Sequence, residues 1–486
     1  MVEIWIDGDR VEAEDGQTVM QAARASGHEI PYFCWHPALS VPGNCRICMV
    51  EVEGDGASAG WLDIACNMPI AEGMRVRTDS ERVRARRKEM LQLITLNHPV
   101  DCGICDKAGE CTLQNYHYKY NGEPSVSRDA KVQATKHHDL SERIVLDNER
   151  CILCSRCVRF TREISKSDAL GIQNRGDHSL VRAVEDGAFD RDPYSDNVID
   201  ICPVGALLSR PFLHKARVWY LEPTRSVCPG CERGCSVEIW HRRKSWKLNR
   251  LDPAANARID RVTPLDNPAV NGPWICNKGR DLAQVFERPR ATEALLKGLP
   301  ADPETALERA RALIGAARRP VALVSSWASN EELAAFDAAL GARFTCYVKT
   351  DRLPEPGERI EDDLLIKPDK NPNRTGARAL YPAQPADTGH ALPADCDLVL
   401  VWGEGCNLKA LPPAAKTIHL DAWLKPDNDR TDVFLPISVQ TERSGHYTNF
   451  AGVVSRFDKC FDKPTGVADA EALFAALLQP VLLAAS

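Results

Sequence analysis

The sequence predicts a multidomain protein of mixed α+β and α/β class. Three observations lead there. The 486 residues suffice for about three or four domains. Fifteen of the nineteen cysteines lie between Cys34 and Cys276, nearly all in short-spaced groups, and after Cys276 the pattern changes to alternating helix and strand signals. With 44% apolar residues the chain can pack sizeable cores, and 61 Lys and Arg against 68 Asp and Glu leave a net charge of -7. No basic excess exists to attract nucleic acid or anionic lipid. The N-terminus lacks the basic and apolar regions of a secretory leader. The longest apolar tract, Ala472 to Ala485, is interrupted by Gln479 and Pro480 and is too short to span a bilayer. A soluble, cytosolic chain without direct membrane insertion is expected. In that compartment thiols stay reduced, so the cysteines read as metal ligands rather than as a disulfide framework.

The elements follow in order. Val2, Ile4 and Ile6, then Val11 and Ala13, alternate around an Asp7-Gly8 turn and predict a β-hairpin. A helix from Thr18 to Ala25 is closed by Gly27. A hairpin, a helix and then a Cys-rich loop have the outline of a β-grasp ferredoxin. Asp79 or Ser80 caps a helix over Glu81 to Leu96, which stops before His98-Pro99. Residues 119–145 are polar and aperiodic and are expected to be a connector with a boundary. Asp302 and Pro303 open a helix to Ala317, followed by a strand at Val321 to Ser325. Ser329 to Glu332 is a capping box for a helix ending near Gly341, with a strand at Phe344 to Val348, hence a β-α-β unit and a parallel sheet. Further strands are expected at Leu398 to Trp402, Thr417 to Leu420 and Val433 to Leu435, and a long loop over Pro354 to Pro385.

Four ligand groups stand out. Cys34, Cys45, Cys48 and Cys66 supply the four thiolates that a [2Fe-2S] cluster needs, and their place in a β-grasp outline favours that cluster over zinc. His98, Cys102, Cys105 and Cys111 suit zinc or a cluster equally, because imidazole and thiolate both bind either. Cys151, Cys154 and Cys157, with Cys202 followed by Pro203, form the bacterial ferredoxin ligand pattern for [4Fe-4S]. Cys228, Cys231, Cys235 and Cys276 could also form a zinc ribbon. Fifteen cysteines plus His98 divide into four complete sets of four, which favours clusters. Cys346, Cys396, Cys406 and Cys460 are expected to be buried thiols. Neither a G-x-G-x-x-G nor a Walker A motif occurs, and Gly403-Glu404-Gly405 alone is not a nucleotide signature.

With these sets in this order, the sequence resembles the large iron-sulfur subunit of the NADH:quinone oxidoreductase (complex I) family. The matching phrases are Cys34 to Cys48, His98 to Gln114, Cys151 to Arg159, Cys202 to Leu207, Cys228 to Cys235 and Trp274 to Arg280. The resemblance implies [2Fe-2S] on the first set and [4Fe-4S] on each of the other three, with His98 the one ligand that is not a cysteine. It also implies five domains: a β-grasp [2Fe-2S] ferredoxin over 1–78, a helical one-His/three-Cys cluster domain over 79–118, a [4Fe-4S] ferredoxin-like domain over 140–217, a [4Fe-4S] domain of molybdopterin oxidoreductase type over 218–283, and a truncated α/β domain of that superfamily over 284–486. Asp369 to Arg378 and Thr431 to Gly452, with Glu442, Gly445, Asn449 and Gly452, carry the last similarity. Only 210 residues follow Cys276 and no metal-ligating Cys stands soon after it, so no Mo or W cofactor is expected.

By the same resemblance, electrons would enter from a flavin-bearing NADH-oxidising subunit and its small [2Fe-2S] partner and leave to a downstream iron-sulfur subunit toward quinone. NADH dehydrogenase activity would belong to the complex, and no catalytic residue is assigned in this chain. The complex would sit at the cytoplasmic face of the inner membrane through partner subunits. Two rivals remain at this point: the electron-transfer subunit of a soluble NAD-linked hydrogenase, formate dehydrogenase or other reductase, and a zinc-bound structural scaffold.

Overall fold

A computed structural model describes residues 1–54, 60–136, 138–243, 258–381 and 392–478. Two compact units result, Met1–Tyr220 and Leu221–Ser486.

The first unit opens with β1 (Val2–Ile6) and β2 (Asp9–Ala13), paired antiparallel with Ile4 opposite Val11. Asp7 and Gly8 both take positive φ, 51° and 96°, as a two-residue turn matching strand twist requires. Next comes α1 (Val19–Ala25), whose Thr18 and Gln21 form a reciprocal cap. Three further strands, β3 (Met49–Val52), β4 (Trp61–Ile64) and β5 (Arg75–Arg77), complete a five-stranded sheet ordered β2-β1-β5-β3-β4. Alternate residues Ile4, Ile6, Val11, Val50 and Val52 pack against Val19, Ala22 and Ala23 of α1, and Cys48 and Cys66 lie in the same core. The Thr78 amide and hydroxyl both donate to the Asp7 carboxylate, at 2.6 and 2.5 Å, which ties the end of β5 to the hairpin turn.

Helix α2 (Glu81–Thr95) is capped by Ser80, with Glu81 in the first turn where the helix dipole favours an anion. It buries Arg87 beside Val83 and Leu91, a position its charge disguises in the sequence. The guanidinium donates to Met49 O at 3.1 Å and lies over the Tyr120 ring. Then follow α3 (Thr112–Tyr116), β6 (His138–Asp139), β7 (Ile144–Leu146), α4 (Arg156–Glu163), β8 (Leu170–Gln173), β9 (Leu180–Ala183), α5 (Asn197–Ile201) and β10 (Leu207–Ser209). The expected connector 119–145 is thus partly ordered. A π-helical turn over His117–Asn121 enters it, and β6 and β7 lie in a sheet ordered β10-β7-β6. Across the sheet Ile144 stands opposite Ser209, distant in sequence, a pairing that local polarity cannot reveal. The stretch lies inside the first unit, so it marks no division between compact units; His137 falls outside the described residues.

The second unit begins with an antiparallel sheet of β11 (Leu221–Val227), β12 (Ser236–Arg242) and β13 (Arg261–Pro264). After α6 (Leu282–Phe286) and the hairpin β14 (Ala294–Leu296) and β15 (Leu299–Ala301), the expected β-α-β pattern appears. It comprises α7 (Pro303–Ala316), β16 (Pro320–Ser325), α8 (Asn330–Leu340), β17 (Thr345–Lys349), α9 (Arg374–Leu380), β18 (Leu398–Trp402), β19 (Lys416–Asp421) and β20 (Val433–Pro436). Their sheet runs β15-β14-β20-β19-β18-β16-β17, parallel from β20 to β17 with an antiparallel edge hairpin. The central strands β16 and β18 are buried throughout, as strands covered on both faces must be. A last hairpin, β21 (Gly445–Thr448) and β22 (Val454–Phe457), precedes α10 (Ala470–Leu478). Helix α9 corrects the expected continuous loop over 354–385; Asn373 anchors it by accepting from the Thr448 amide at 2.6 Å, another remote contact. Residues 382–385 and 479–486 lie outside the described residues. Cys396 and Cys460 are buried as expected, whereas Cys346 and Cys406 are only partly so.

Phe336 of α8 is the hub of this core, within 6.3 Å of the rings of Phe344, Tyr381, Trp402 and Phe474. Phe336→Ala is expected to destabilise the second unit by about 3–5 kcal/mol, read by urea unfolding. A loss below about 1 kcal/mol would show that this cluster does not hold the unit together.

Candidate metal centres

In the first set, Cys34 follows the α1 loop, Cys45 and Cys48 lie in the turn before β3, and Cys66 follows β4. Gly43 and Arg46, at φ 63° and 57°, bend that turn. The Cys34 amide donates to Cys45 Sγ at 3.4 Å. The thiols interact in two pairs: the hydrogen bond from Cys45 lowers Cys34 to about 6, and the bond shared with Cys66, with burial, raises Cys48. Cys48 also feels the charge of Cys34, so all four sulfurs share one neighbourhood.

The second set begins where α2 ends. His98 Nδ1 is buried and has no hydrogen-bond partner. Burial lowers the imidazole to about 4, so at neutral pH it carries a free lone pair. An orphaned imidazole nitrogen is costly unless it binds something, and a metal is what the adjoining thiols suit. Asp101, inside this loop, accepts from Arg150 Nη2 at 2.7 Å and Lys136 Nζ at 3.1 Å. Cys105 and Cys111 are buried, and Cys102 is exposed.

The third set is gathered around one small cavity, which its four cysteines line together with Leu146, Val181 and Val204. Leu153 and Ser155 hold left-handed backbone, φ 52° and 60°, a strained state for such side chains that functional loops tolerate. The strain turns the Leu153 amide onto Cys151 Sγ at 3.4 Å. Burial raises Cys151 to about 12 and Cys154 to about 11, and pushes Cys157 well above the usual thiol range. Helix α5 delivers Cys202 at its C-terminal end, and Pro203, lacking an N-H, ends it.

The fourth set lies in the second unit. Cys228, Cys231 and Cys235 occupy the β11–β12 turn, where the Cys228 amide donates to Cys235 O at 2.8 Å and the Gly230 amide to Cys228 Sγ at 3.4 Å. A side chain at Gly279 would put its Cβ 3.3 Å from Cys228 Sγ and 3.9 Å from Cys276 Sγ. The stretches singled out as superfamily-like support this turn. Asp369 O accepts from the Glu232 amide at 2.8 Å, and Asn449 Nδ2 donates to Arg233 O at 3.2 Å.

Among the described residues no group of three or more His, Cys, Asp or Glu side chains is arranged to hold a single metal ion. A polynuclear cluster spreads its ligands over a wider cage, and the four cysteines of the third set share one cavity rather than a single point. Buried thiols with raised pKa values become thiolates only when a cation replaces the proton, so loading must release protons.

The spatial order of the sets differs from their order in the chain. The loops of the third set contact both others. Asn44 Nδ2, beside Cys45, donates to Leu153 O at 3.2 Å. On the other side, the Thr112 amide donates to Pro203 O at 3.0 Å, and Cys111 Sγ approaches the same oxygen at 3.8 Å. A Cβ at Gly205 would overlap Cys105 Sγ. The first and second loops meet farther from their ligands, where Tyr116 Oη accepts from the Tyr32 amide at 3.3 Å.

Sequence reading missed the buried cations. Arg87, Arg150, Arg156 and Arg159 are all buried in this unit; the one signal available was arginine at i and i+3 within the third ligand run. Gly205→Ala is expected to cost the chain about 4 to 8 irons by displacing Cys105, Cys202 or both, while the first set stays loaded. Iron analysis with EPR reads this; full iron with unchanged spectra would contradict the packing.

Comparison with known proteins finds iron-sulfur domains over the same stretches of the chain. Residues 1–81 match the model of a 2Fe-2S iron-sulfur cluster binding domain, and 87–124 that of the NADH-ubiquinone oxidoreductase-G iron-sulfur binding region. Residues 141–208 match a ferredoxin-like domain of NADH-quinone oxidoreductase subunit 3, and 221–288 the molybdopterin oxidoreductase Fe4S4 domain. Each span contains one of the four candidate sets. The chain is 36% identical over 280 residues to the G subunit of NADH-quinone oxidoreductase from Rickettsia typhi, and likewise to that of Rickettsia prowazekii. The match covers 58% of this chain and 39% of either relative. A chain from the crystal structure of an NAD+-reducing [NiFe]-hydrogenase in the H2-reduced state is 29% identical, with a TM-score of 0.39, over 45% of this chain and 91% of that one. Among the described residues no helix is long and apolar enough to cross a membrane. The chain is thus a relative of the NADH-quinone oxidoreductase G subunit that carries a 2Fe-2S cluster-binding domain followed by 4Fe-4S domains, the last of molybdopterin oxidoreductase type.

Proposed function

We propose that the chain is the iron-sulfur electron-transfer subunit of an NADH:quinone oxidoreductase. It would receive electrons from a flavin-bearing NADH-oxidising partner and its small [2Fe-2S] companion, and deliver them to a downstream iron-sulfur subunit toward quinone. The observation that carries this is the gathering of three complete ligand sets in one compact unit, the third set in contact with the loops of both others.

Cys34, Cys45, Cys48 and Cys66 would hold [2Fe-2S]. His98 with Cys102, Cys105 and Cys111, Cys151 with Cys154, Cys157 and Cys202, and Cys228 with Cys231, Cys235 and Cys276 would each hold [4Fe-4S]. Such clusters, when bound, supply one-electron exchange with little movement of their ligands. The protein's share is to bind, orient and shield. Amides of Cys34, Leu153 and Gly230 point at ligand sulfurs, and hydrogen bonds to sulfur favour the more negative, reduced state. Neutral His98 in place of a thiolate removes one negative charge from its set and should alter that site's potential relative to an all-Cys site. Exposed Cys102 brings the second set to the surface, a suitable edge for transfer to another subunit.

The fourth set sits among contacts from the α/β scaffold and is proposed to lie off the route, in a domain without Mo or W. Anaerobically purified chain is expected to contain about 14 irons with matching acid-labile sulfide, and dithionite to develop one [2Fe-2S] and several [4Fe-4S] EPR signals. Little iron with much zinc would overturn the reading. Cys231→Ser in the assembled complex is expected to lose about 4 irons with turnover retained. Lost turnover in a complex that still assembles would put the fourth set on the route.

A further inference from the structure

We propose that Arg156 and Arg159 of α4 are positioning residues that lock the first and third ligand sets together and raise the reduction potential of both. The inference rests on the cluster assignment above and adds what sets the two potentials jointly.

The two side chains lie one turn apart on α4, on either side of Cys157. Each spans both loops. Arg159 donates through Nη2 to Cys34 O at 2.5 Å and to Cys154 O at 3.3 Å, so one nitrogen joins a ligand of the first set to a ligand of the third. Its Nη1 donates to Ser40 O, and its Nε to Ser155 Oγ at 3.2 Å. Arg156 donates to Trp35 O, next to Cys34, at 2.6 Å, and to Ile201 O, next to Cys202, at 2.9 Å. Its guanidinium lies 5.6 Å from the centre of the Tyr32 ring.

Both residues are more than nine-tenths buried, with 7% and 8% of their surface exposed. Their acceptors are backbone carbonyls and one hydroxyl, and neither is ion-paired with a carboxylate among the described residues. The Glu163 carboxylate on the same helix accepts from the Ser40 amide at 2.8 Å and acts on Arg159 only through space. Two buried cations without a paired anion are expensive, because carbonyl dipoles replace only part of the lost hydration. The negative charge that could balance them belongs to the thiolate ligands. Cys34 and Cys154 both stabilise charged Arg159, and Arg156 and Arg159 both favour the Cys154 thiolate. His36, held neutral by burial and by these same arginines, adds no third positive charge.

A fixed cation stabilises a more negative neighbour most, so it favours the reduced over the oxidised state of each set it faces. Because the same guanidinium groups face both sets, their removal must move both potentials in one direction. The second set bonds to neither arginine and should not move.

The test is an EPR-monitored redox titration of the full chain in its complex, comparing wild type with R159Q, R159K and R156Q. In R159Q we expect the first and third sets each to become at least tenfold more oxidised at their wild-type midpoints, a negative shift of about 59 mV for one electron, with the second set unmoved. R159K keeps the charge without the planar fork and should restore both potentials toward wild type. Unchanged potentials in the glutamine variants, or a shift confined to one set, would overturn the inference. If R159Q does not load, R156Q decides by the same criteria. A wild-type chain lacking these two signals would overturn the cluster assignment itself, and this inference with it.

Discussion

Everything else in the first unit depends on the burial of its sulfur ligands. Removing a thiol from water favours its protonated form, and Cys151, Cys154 and Cys157 all respond in that direction. A protonated thiol binds metal poorly, so these sites require cations to replace the proton. The fold supplies some of the compensation before any metal arrives. Amides reach toward sulfur at 3.4 Å in the first, third and fourth sets, and buried arginines border the loops. Strained backbone at Leu153 and Ser155 is the local cost of aiming those groups.

The β-grasp elements, the capped helices and the parallel α/β sheet were legible because each depends on local pattern. Asp7-Gly8, Thr18 with Gln21 and Ser329 with Glu332 fix their own conformations within a few residues. The cysteine groups stood out in the sequence by their spacing, and the structure gathers the four of the third group around one cavity. What was not legible depends on partners far along the chain. Ile144 pairs with Ser209, Asn373 accepts from Thr448, and Arg159 bonds to Cys34 O. Each looks like a polar or aperiodic loop until its partner is known. The spatial order of the sets falls in the same class, because chain order places the second set between the first and third and the fold does not.

The fourth set obeys different constraints. Its turn is held by Asp369, Arg352 and Asn449, all from the α/β region, with Arg352 Nη1 donating to Gly230 O at 3.1 Å. Asp369 and Asn449, which lie in the stretches singled out in the sequence, therefore act here as supports for a sulfur-bearing turn. In the first unit the ligand loops also bond to one another, which couples the sets mechanically and electrostatically.

The contacts of its loops place the third set between the other two. Pulsed EPR of the reduced chain tests this placement directly, through the magnetic coupling between pairs of reduced clusters. The structure predicts that the first and third sets, and the third and second, couple more strongly than the first and second. If the first and second couple most strongly, the third set does not lie between them.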